Sequence, residues 1–324
     1  MKVTILGCGA YGLALSLMLD KNNCDITMWT KFEEEKNMLE KERMNKNKLP
    51  NVLIPSRIKF TTNLKDSIEK SQLIIIAVPT SFVGDTVHNI KPFVTNQHFC
   101  LASKGIEQGS CLFVDEIFKK HINTDKLAVI SGPSFAIDIA NNNPIGLALA
   151  TKNSETEKIV KAALQNEFLK LRTTDDIIGI EICGSVKNII AIAAGMLAGM
   201  NASSSTRAMF ITESLHDIKE LIDNLGGDKK TILSFAGFGD LLLTCTSEKS
   251  RNYQYGILIG SNADNETINN YKNNTTIEGL YTLKSIYKLL NNKKVDMPII
   301  DLVYDIIFKN QSPEELYKFL IEKI

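Results

Sequence analysis

The sequence predicts an α/β protein, with a Rossmann-type doubly wound sheet followed by an all-α domain. A glycine-rich segment directly follows the first apolar run, Val3–Leu6. Short apolar runs then alternate with amphipathic stretches through the first half of the chain. After about residue 175, apolar stretches of helical length replace them. We therefore predict a dinucleotide-binding domain over residues 1–176 and a helical substrate and catalytic domain over residues 177–324.

Six short runs in the first half have the length and composition of buried strands. These predicted strands are Val3–Leu6, Asp25–Trp29, Leu73–Val78, Phe99–Ala102, Leu127–Ile130 and Ile145–Ala150. Amphipathic stretches at Ala10–Lys21 and Cys111–Lys120 lie between them and predict helices. Strands that alternate with helices indicate βαβ units, and therefore a parallel sheet covered on both faces.

Capping residues mark two helices of the second half. Thr173-Thr174-Asp175 supplies N-caps for a long helix that runs through Met200, and Ser312-Pro313-Glu314-Glu315 opens the last helix. The Asn-rich stretch Ser261–Thr276 predicts a surface loop or a frayed turn.

Composition excludes several classes of function. The 324 residues include 37 Lys and Arg and 37 Asp and Glu, so the net charge is zero and no nucleic-acid partner is expected. The six cysteines form no CxxC pair and the four histidines lack metal-ligand spacing, so we expect no metal site.

Targeting and membrane segments are also not expected. The first apolar run is too short for a signal peptide. The apolar stretch 177–200 carries Glu181 and Lys187 near its middle, which a spanning helix would hardly accept. We therefore expect a cytoplasmic protein with reduced cysteines and no membrane span.

A dinucleotide-binding fingerprint occupies the turn after the first predicted strand. Gly7-Cys8-Gly9-Ala10-Tyr11-Gly12 matches GxGxxG. In such a turn, Gly7 permits the sharp bend, Gly9 lets backbone N–H groups approach a pyrophosphate, and Gly12 allows close helix–strand packing. A glycine-rich turn without a ligand is the alternative, which the strand and helix on either side disfavour.

The identity of the dinucleotide depends on the end of the second strand. NAD-preferring sites usually carry an acid about 20 residues beyond the glycines. Here the strand runs into Thr30-Lys31, and Lys31 stands near where a 2′-phosphate would lie. A solvated lysine before Glu33, Glu34 and Glu35 is equally consistent. The expected cofactor is therefore NAD or NADP.

Lys187 lies in a helix that is apolar or small nearly all round. A buried ammonium costs several kcal/mol unless it is paired, and desolvation lowers its pKa. Such a lysine can act as an acid–base group near neutral pH. The alternatives are a snorkelling lysine and a structural ion pair with Asp240 or Glu181. Three glycines of this helix would allow close approach of a substrate or another helix: Gly184, Gly195 and Gly199.

Further polar groups follow predicted strand ends or apolar runs. Arg251, with Ser250 and Asn252, could form a fork for a phosphate. The segments Ala102–Gly105 and Ser131–Ala136 leave two strands at the carboxyl edge of the sheet, where open α/β folds bind ligands. The sequence contains neither a P-loop nor a G-x-S-x-G elbow, which weakens kinase and hydrolase assignments.

Seven segments, in order along essentially the whole chain, resemble the bacterial type of NAD(P)-dependent glycerol-3-phosphate dehydrogenase. They are GCGAYG at Gly7, AVPT at Ala77, ASKGIE at Ala102, SGPSFA at Ser131, EICGSVKNIIAIAAG at Glu181, GFGDLLLTCTS at Gly237 and SRN at Ser250. The resemblance implies reversible reduction of dihydroxyacetone phosphate to sn-glycerol 3-phosphate, a phospholipid precursor, with NAD(P)H.

The resemblance also implies roles for individual residues. It makes Lys187 the general acid and base, Asp240 the group that orients the lysine or the substrate hydroxyls, and Arg251 the phosphate anchor. The substrate would contact Lys104, Gly132, Ser134, Lys187, Asp240, Ser250, Arg251 and Asn252. The cofactor would contact Gly7, Gly9, Ala10, Tyr11, Gly12, Lys31, Lys48, Lys104, Ala136, Arg251, Thr276 and Glu278.

Departures from the commonest family pattern concern the cofactor. Ala10-Tyr11 stands where pairs such as Ser-Trp are frequent, Lys31 replaces an Arg or His, and Lys48 replaces a frequent Tyr. These changes leave the choice between NAD and NADP open.

Two other functions remain possible on sequence grounds. One is a dehydrogenase of the same two-domain plan that acts on a hydroxyacid or a sugar acid phosphate. The other is a dinucleotide sensor without turnover, against which the joint presence of Lys187, Asp240 and Arg251 speaks. The expected partner is a small-molecule substrate, and the apolar helix faces of the second domain suggest a homodimer.

Overall fold

The computed structural model describes residues 1–322, which divide into two compact units. The first unit comprises Met1–Lys104 and Val114–Ile177. The second unit comprises Gly105–Phe113 and the chain from Ile178 onward. The expected boundary after residue 176 lies one residue from the end of the first unit, but the short segment after Lys104 was not expected to leave it.

Gly105–Phe113 belongs to the second unit because its apolar side chains are buried there. Ile106, Cys111 and Phe113 are 3%, 5% and 3% exposed and pack in the core of the second unit. Ile106 and Phe113 form an isolated antiparallel bridge, and Cys111 has a φ of +60°. The predicted helix at Cys111–Lys120 therefore begins late, at Val114, because Cys111 is in the left-handed region.

The first unit contains an eight-stranded sheet in the order β3-β2-β1-β4-β5-β6-β7-β8. The strands are β1 Lys2–Leu6, β2 Asp25–Trp29, β3 Lys59–Thr61, β4 Leu73–Ile76, β5 His98–Leu101, β6 Leu127–Ser131, β7 Ile145–Ala150 and β8 Leu169–Thr174. The first six follow the Rossmann order, so the predicted fold class is confirmed. All neighbouring strands are parallel except β6 and β7.

Seven helices accompany this sheet. They are α1 Ala10–Lys21, α2 Glu33–Glu42, α3 Leu64–Ile68, α4 Val83–Ile90, α5 Val114–His121, α6 Ala136–Ala140 and α7 Ser154–Leu164. The sheet strands are nearly continuous apolar runs because helices cover both faces.

Three features of the sheet differ from expectation. The strand β7 runs antiparallel to β6, because the chain re-enters the sheet at the edge where β6 ended, after the five-residue α6. The strand β3 has only three residues. The strand β8 buries Leu169 and Leu171 and exposes Lys170 and Arg172, so it lacks the continuous apolar run by which strands were predicted. Its last residues are the threonines that we expected to cap a helix.

The second unit is helical. Its helices are α8 Ile177–Gly199, α9 Ser204–Asn224, α10 Asp240–Thr246, α11 Arg251–Gly260, α12 Asn265–Asn274, α13 Glu278–Lys293, α14 Pro298–Lys309 and α15 Glu315–Glu322. The helix α8 is long and apolar enough to cross a membrane by length and composition, yet 89% of its apolar window is buried inside the protein. It is therefore the core helix of this unit.

The expectation of a loop or frayed turn at Ser261–Thr276 was wrong, because α12 occupies most of that stretch. Asp264 is its N-cap and accepts a hydrogen bond of 2.8 Å from the backbone N–H of Thr267. A single cap thus outweighs the low helix propensity of the asparagines that follow.

Helices α8 and α11 approach each other through glycines. A Cβ atom on Gly195 would overlap the carbonyl oxygen of Tyr253, and one on Gly256 would overlap that of Ile192. The next turn repeats the arrangement with Gly199 and Gly260. The predicted close approach at Gly195 and Gly199 is therefore to another helix, and it places the N-terminus of α11 beside α8.

Candidate functional site

The glycine loop of the first unit forms a cradle at the N-terminus of α1. Gly7 has a φ of +118°, and a Cβ there would lie 2.7 Å from the carbonyl oxygen of Ala77. Gly9 is the N-cap, no side chain caps the helix, and its first turn contains no acidic residue. A Cβ on Gly9 would meet nothing within 4 Å. An open space beside uncapped N–H groups fits the pyrophosphate of a dinucleotide.

Four predicted residues form a cluster at the carboxyl ends of β1, β5 and β6. The Lys104 ammonium lies 3.4 Å from the Gly132 carbonyl oxygen and 6.0 Å from the centre of the Tyr11 ring. The hydroxyls of Tyr11 and Ser134 are 3.1 Å apart. The hydroxyl of Thr80 donates to the Lys104 carbonyl oxygen at 2.7 Å and so holds this backbone. The cluster joins one cation to three hydrogen-bonding groups, and Ala136 follows it in the partly exposed first turn of α6.

The end of β2 has a charge arrangement that sequence reasoning missed. Lys31 is exposed, whereas the Lys48 ammonium forms an ion pair with the carboxylate of Glu35. The other Glu35 oxygen accepts a hydrogen bond of 2.6 Å from the hydroxyl of Thr30. Glu35 is one of three consecutive glutamates, and nothing in that run distinguishes it from its exposed neighbours.

In the second unit, Lys187 and Asp240 form a buried ion pair. Their side chains are 11% and 2% exposed, and Nζ lies 2.5 Å from Oδ1. A π-helical turn, Phe235–Gly239, leads into α10 and so places Asp240 at its first position. The Thr244 hydroxyl donates to the Asp240 carbonyl oxygen at 2.5 Å. The ion pair that the sequence offered as an alternative is therefore present, and it keeps an ammonium inside an apolar core.

The Cys245 thiol, on which this pair acts electrostatically, is not suited to be a nucleophile. Cys245 is 3% exposed, and burial raises the pKa of its thiol, with Lys187 and Asp240 acting on it in opposite directions. The thiol stays protonated, so the lysine is the group of this cluster suited to proton transfer.

The residues at the start of α11 are held by contacts with α8 and α13. Ser250 is the N-cap and is 4% exposed. The Arg251 side chain is 54% exposed, and its guanidinium lies 3.5 Å from a carboxylate oxygen of Glu278. Asn252 donates to the side-chain oxygen of Asn188 at 3.0 Å and accepts from the N–H of Gly279 at 2.9 Å.

Asn188 joins Lys187 to the phosphate-binding candidates, and sequence reasoning gave it no role. Its side-chain amide lies 3.5 Å from Glu278, on the same carboxylate that Arg251 approaches. Thr276 is exposed just before α13. The available signal was the Lys187-Asn188 pair itself, two adjacent polar residues in the middle of a largely apolar helix.

The predicted residues thus fall into two groups, one in each unit. Within residues 1–322, no group of three or more His, Cys, Asp or Glu side chains is placed to hold a metal ion. All six cysteines are buried and unbonded to one another.

Comparison with known proteins identifies relatives over nearly the full chain. Residues 2–157 match the family model for the N-terminus of NAD-dependent glycerol-3-phosphate dehydrogenase, and residues 176–318 match the model for its C-terminus. A glycerol-3-phosphate dehydrogenase (NAD(P)+) of Staphylococcus epidermidis is 33% identical, with 99% of this chain and 98% of the relative covered. One of Bacillus pumilus is also 33% identical, with 100% and 94% covered. The crystal structure of a glycerol-3-phosphate dehydrogenase from Coxiella burnetii has 32% identity and a TM-score of 0.93, with 99% of each chain covered.

Proposed function

We propose that Lys187 is the general acid and base in the interconversion of dihydroxyacetone phosphate and sn-glycerol 3-phosphate. The chain belongs to the NAD-dependent glycerol-3-phosphate dehydrogenase family. The chain is an NAD(P)-dependent oxidoreductase of that family. The observation that carries the proposal is the Lys187–Asp240 pair, whose residues are 9% and 1% exposed. Buried ionisable groups with a charged partner are often found at functional sites.

Reduction of the ketone needs a hydride at carbon and a proton at oxygen. The nicotinamide cofactor supplies the hydride when it is bound. The Lys187 ammonium donates a proton to the carbonyl oxygen as negative charge develops there, and in the reverse direction its neutral amine accepts the hydroxyl proton. Asp240 holds Nζ in one position and stabilises the charged form.

The phosphate of the substrate is assigned to Arg251. Its guanidinium is half exposed and 3.5 Å from Glu278, so it can turn to a phosphate and bind two oxygens at once. Ser250 and Asn252 lie beside it at the helix start. Binding energy gained on the phosphate positions the carbonyl for reaction.

The first unit contributes the cofactor cradle and a second cation. The glycine loop would hold the pyrophosphate through backbone N–H groups. Lys104, held beside Gly132 and Ser134, would contact the substrate.

The proposal is tested by replacing Lys187 with Met, which keeps the length and apolar stem of the side chain. We expect kcat for dihydroxyacetone phosphate to fall by about two to four powers of ten while the Kd for NADH stays unchanged. Lys272→Met, an exposed lysine of α12, is the matched control and should leave both values unchanged. Near-normal kcat in the Lys187 variant would refute the assignment.

Arg251→Ala tests the phosphate anchor. We expect KM for dihydroxyacetone phosphate to rise by about a hundredfold, with a smaller loss of kcat, because a charge-assisted contact made in both ground and transition states is removed. Unphosphorylated dihydroxyacetone is the control substrate, since it should react equally slowly with both proteins. An unchanged KM for the phosphorylated ketone would contradict the role.

The same assay separates this function from its alternatives. Hydroxyacids or sugar acid phosphates that turn over faster than sn-glycerol 3-phosphate would identify a different dehydrogenase. Sustained turnover of any substrate eliminates a dinucleotide sensor.

Three finer predictions accompany this proposal: supply of glycerophospholipid synthesis, a cytoplasmic location and a homodimer. Phe238 and Leu242 support the dimer, because they lie one helical turn apart and are 41% and 40% exposed. Sedimentation should then give twice the 36.0 kDa chain mass. Depleting the protein in cells should lower glycerophospholipid synthesis until glycerol 3-phosphate is supplied.

A further inference from the structure

We propose that Glu35 limits recognition of the NADP 2′-phosphate in this chain, by holding the ammonium of Lys48 and by placing a carboxylate at the end of β2. This inference rests on the cofactor site proposed for the first unit. It concerns Lys31, Lys48 and Glu35, and none of the residues that carry out the proton transfer.

The carboxylate of Glu35 is held at both oxygens. Glu35 lies in the first turn of α2, and its side chain is 13% exposed. One oxygen pairs with the Lys48 ammonium, and the other accepts a 2.6 Å hydrogen bond from the hydroxyl of Thr30. Thr30 directly follows β2 and is 3% exposed. The end of β2 carries no acidic residue of its own, and Glu35 of α2 therefore places a carboxylate there.

Lys48 is anchored independently of its charge. The side-chain oxygen of Asn45 accepts hydrogen bonds from the backbone N–H groups of Asn47, at 3.2 Å, and of Lys48, at 3.0 Å. Asn45 is 4% exposed, and its amide lies 3.5 Å from the paired oxygen of Glu35. The loop that carries Lys48 is thus fixed beside Glu35, although the lysine side chain is 45% exposed.

The Glu35–Lys48 pair lies close to the glycine loop. Leu6 of β1 is in register with Trp29 of β2, and the N–H of Gly7 donates to the Trp29 carbonyl oxygen at 2.9 Å. Within the loop, burial raises the pKa of the Cys8 thiol, and Glu35 and Lys48 are the charged groups that act on it. In Rossmann folds this position, beside the loop at the end of the second strand, receives the adenosine ribose.

The charges at this position determine which ribose is accepted. A 2′-phosphate carries close to two negative charges and is repelled by a nearby carboxylate, whereas a 2′-hydroxyl can donate to it. Lys31 is exposed and remains available to a phosphate. Lys48 is neutralised by Glu35. A phosphate at this position would therefore meet the ammonium of Lys31 and an ion pair without net charge, Glu35–Lys48, instead of two cations.

The test compares two nucleotides that differ only in the 2′-phosphate and that need no turnover: adenosine 2′,5′-bisphosphate and adenosine 5′-monophosphate. Their Kd values are measured by calorimetry on the full chain. Glu35→Gln keeps the side-chain shape and the contact with Thr30, removes the charge and releases Lys48. We expect it to tighten binding of the bisphosphate about tenfold and to change binding of the monophosphate less than twofold.

Glu34→Gln is the matched control, since it removes the same charge from an exposed neighbour in the same helical turn. It should change the ratio of the two Kd values by less than twofold. If Glu35→Gln leaves that ratio unchanged, or if Glu34→Gln changes it equally, the inference is overturned.

A second pair of variants tests whether Lys48 carries the effect. Lys48→Gln alone should weaken bisphosphate binding several-fold, because it leaves Glu35 without its cation. Adding Lys48→Gln to Glu35→Gln should remove most of the tenfold gain, and retention of the full gain would overturn the inference. If the unmodified chain binds neither nucleotide, the cofactor site proposed for the first unit is refuted together with this inference. The Lys187 experiment tests the catalytic proposal separately.

Discussion

The two units build their sites from different material. In the first unit the proposed anion site is made of backbone: Gly7 turns the chain, Gly9 leaves space, and the N–H groups of α1 face that space. In the second unit the proposed acid–base group is a charged side chain, Lys187, buried with the carboxylate of Asp240. A backbone site tolerates water and needs no side-chain partner, whereas the buried ammonium is paired with a carboxylate 53 positions away along the chain. The second site should therefore be the more fragile of the two.

The largest effect should come from Asp240→Asn, which removes the carboxylate paired with the buried ammonium of Lys187. Breaking a buried ion pair on one side costs about 3 kcal/mol or more. We expect the free energy of unfolding to fall by that amount in denaturant titrations and kcat to fall with it. The control is Asp305→Asn, which removes a partly exposed carboxylate 2.7 Å from the exposed ammonium of Lys309. It should cost less than about 0.5 kcal/mol, and equal losses in the two variants would remove the contrast.

Gly195→Ala tests the packing that supports the second site. Its Cβ would overlap the carbonyl oxygen of Tyr253, and no flexible side chain is there to move aside. We expect a loss of about 2 kcal/mol in the free energy of unfolding. KM for dihydroxyacetone phosphate should also rise, because α11 and Arg251 must shift. Ser261→Ala, at an exposed position that follows α11, should change neither value. A silent Gly195 variant would show that α8 and α11 have room to separate.

In the first unit, two glycines of the same loop should separate stability from binding. Gly9→Ala should weaken NADH binding about tenfold with little change in stability, because its Cβ projects into the open space proposed to hold the pyrophosphate. Gly7→Ala should instead lower stability by about 1 to 3 kcal/mol, since its φ is +118°. Fluorescence titration and thermal unfolding measure the two effects. Equal behaviour of the two variants would contradict a backbone-built site.

The smallest effect concerns His98, a buried histidine at the first position of β5. His98 is 3% exposed, and its ring nitrogen lies 2.8 Å from the hydroxyl of Thr156. Burial, aided by Lys126, lowers the pKa of His98 below its usual value of 6.5. The unfolded chain therefore binds more protons than the folded one just below pH 6.5, so the stability contribution present above that pH is lost as the pH falls.

His98→Gln should flatten this part of the stability curve. The measurement is the midpoint of urea unfolding between neutral and mildly acid pH. His216→Gln, at an exposed position of α9, is the control and should keep the slope of the unmodified protein. A slope unchanged by the His98 variant would assign the acid sensitivity to other groups.

The parts of the fold that the sequence predicted well are those coded by neighbouring residues. The strands β2 and β7 have the predicted bounds, and α8 ends one residue before the predicted Met200. The strands β3 and β8 were missed because an edge strand needs apolar residues on one face only. The direction of β7 depends on where the chain re-enters the sheet, which no local pattern records.

The site divides in the same way. The glycine spacing located the cradle, because Gly7, Gly9 and Gly12 all lie within six consecutive residues. The ion pair of Lys187 was one of several alternatives, since nothing local distinguishes Asp240 from Glu181 as its partner. The Glu35–Lys48 pair and the Asn188–Asn252 contact were not predicted at all, because both join segments whose proximity is set by the tertiary fold.

The glycine contact of α8 and α11 fixes the distance between these two helices. Lys187 and Asn188 lie on one helix and Arg251 and Asn252 on the other, and the two helices touch through backbone atoms, where no rotamer change can adjust the gap. The backbone positions of the proposed proton donor and phosphate anchor are consequently held at a fixed spacing, and only their side chains can adjust. A phosphorylated ketone with one carbon more or fewer between its carbonyl and its phosphate would have to bend or stretch to reach both Lys187 and Arg251, because the two helices keep a fixed distance.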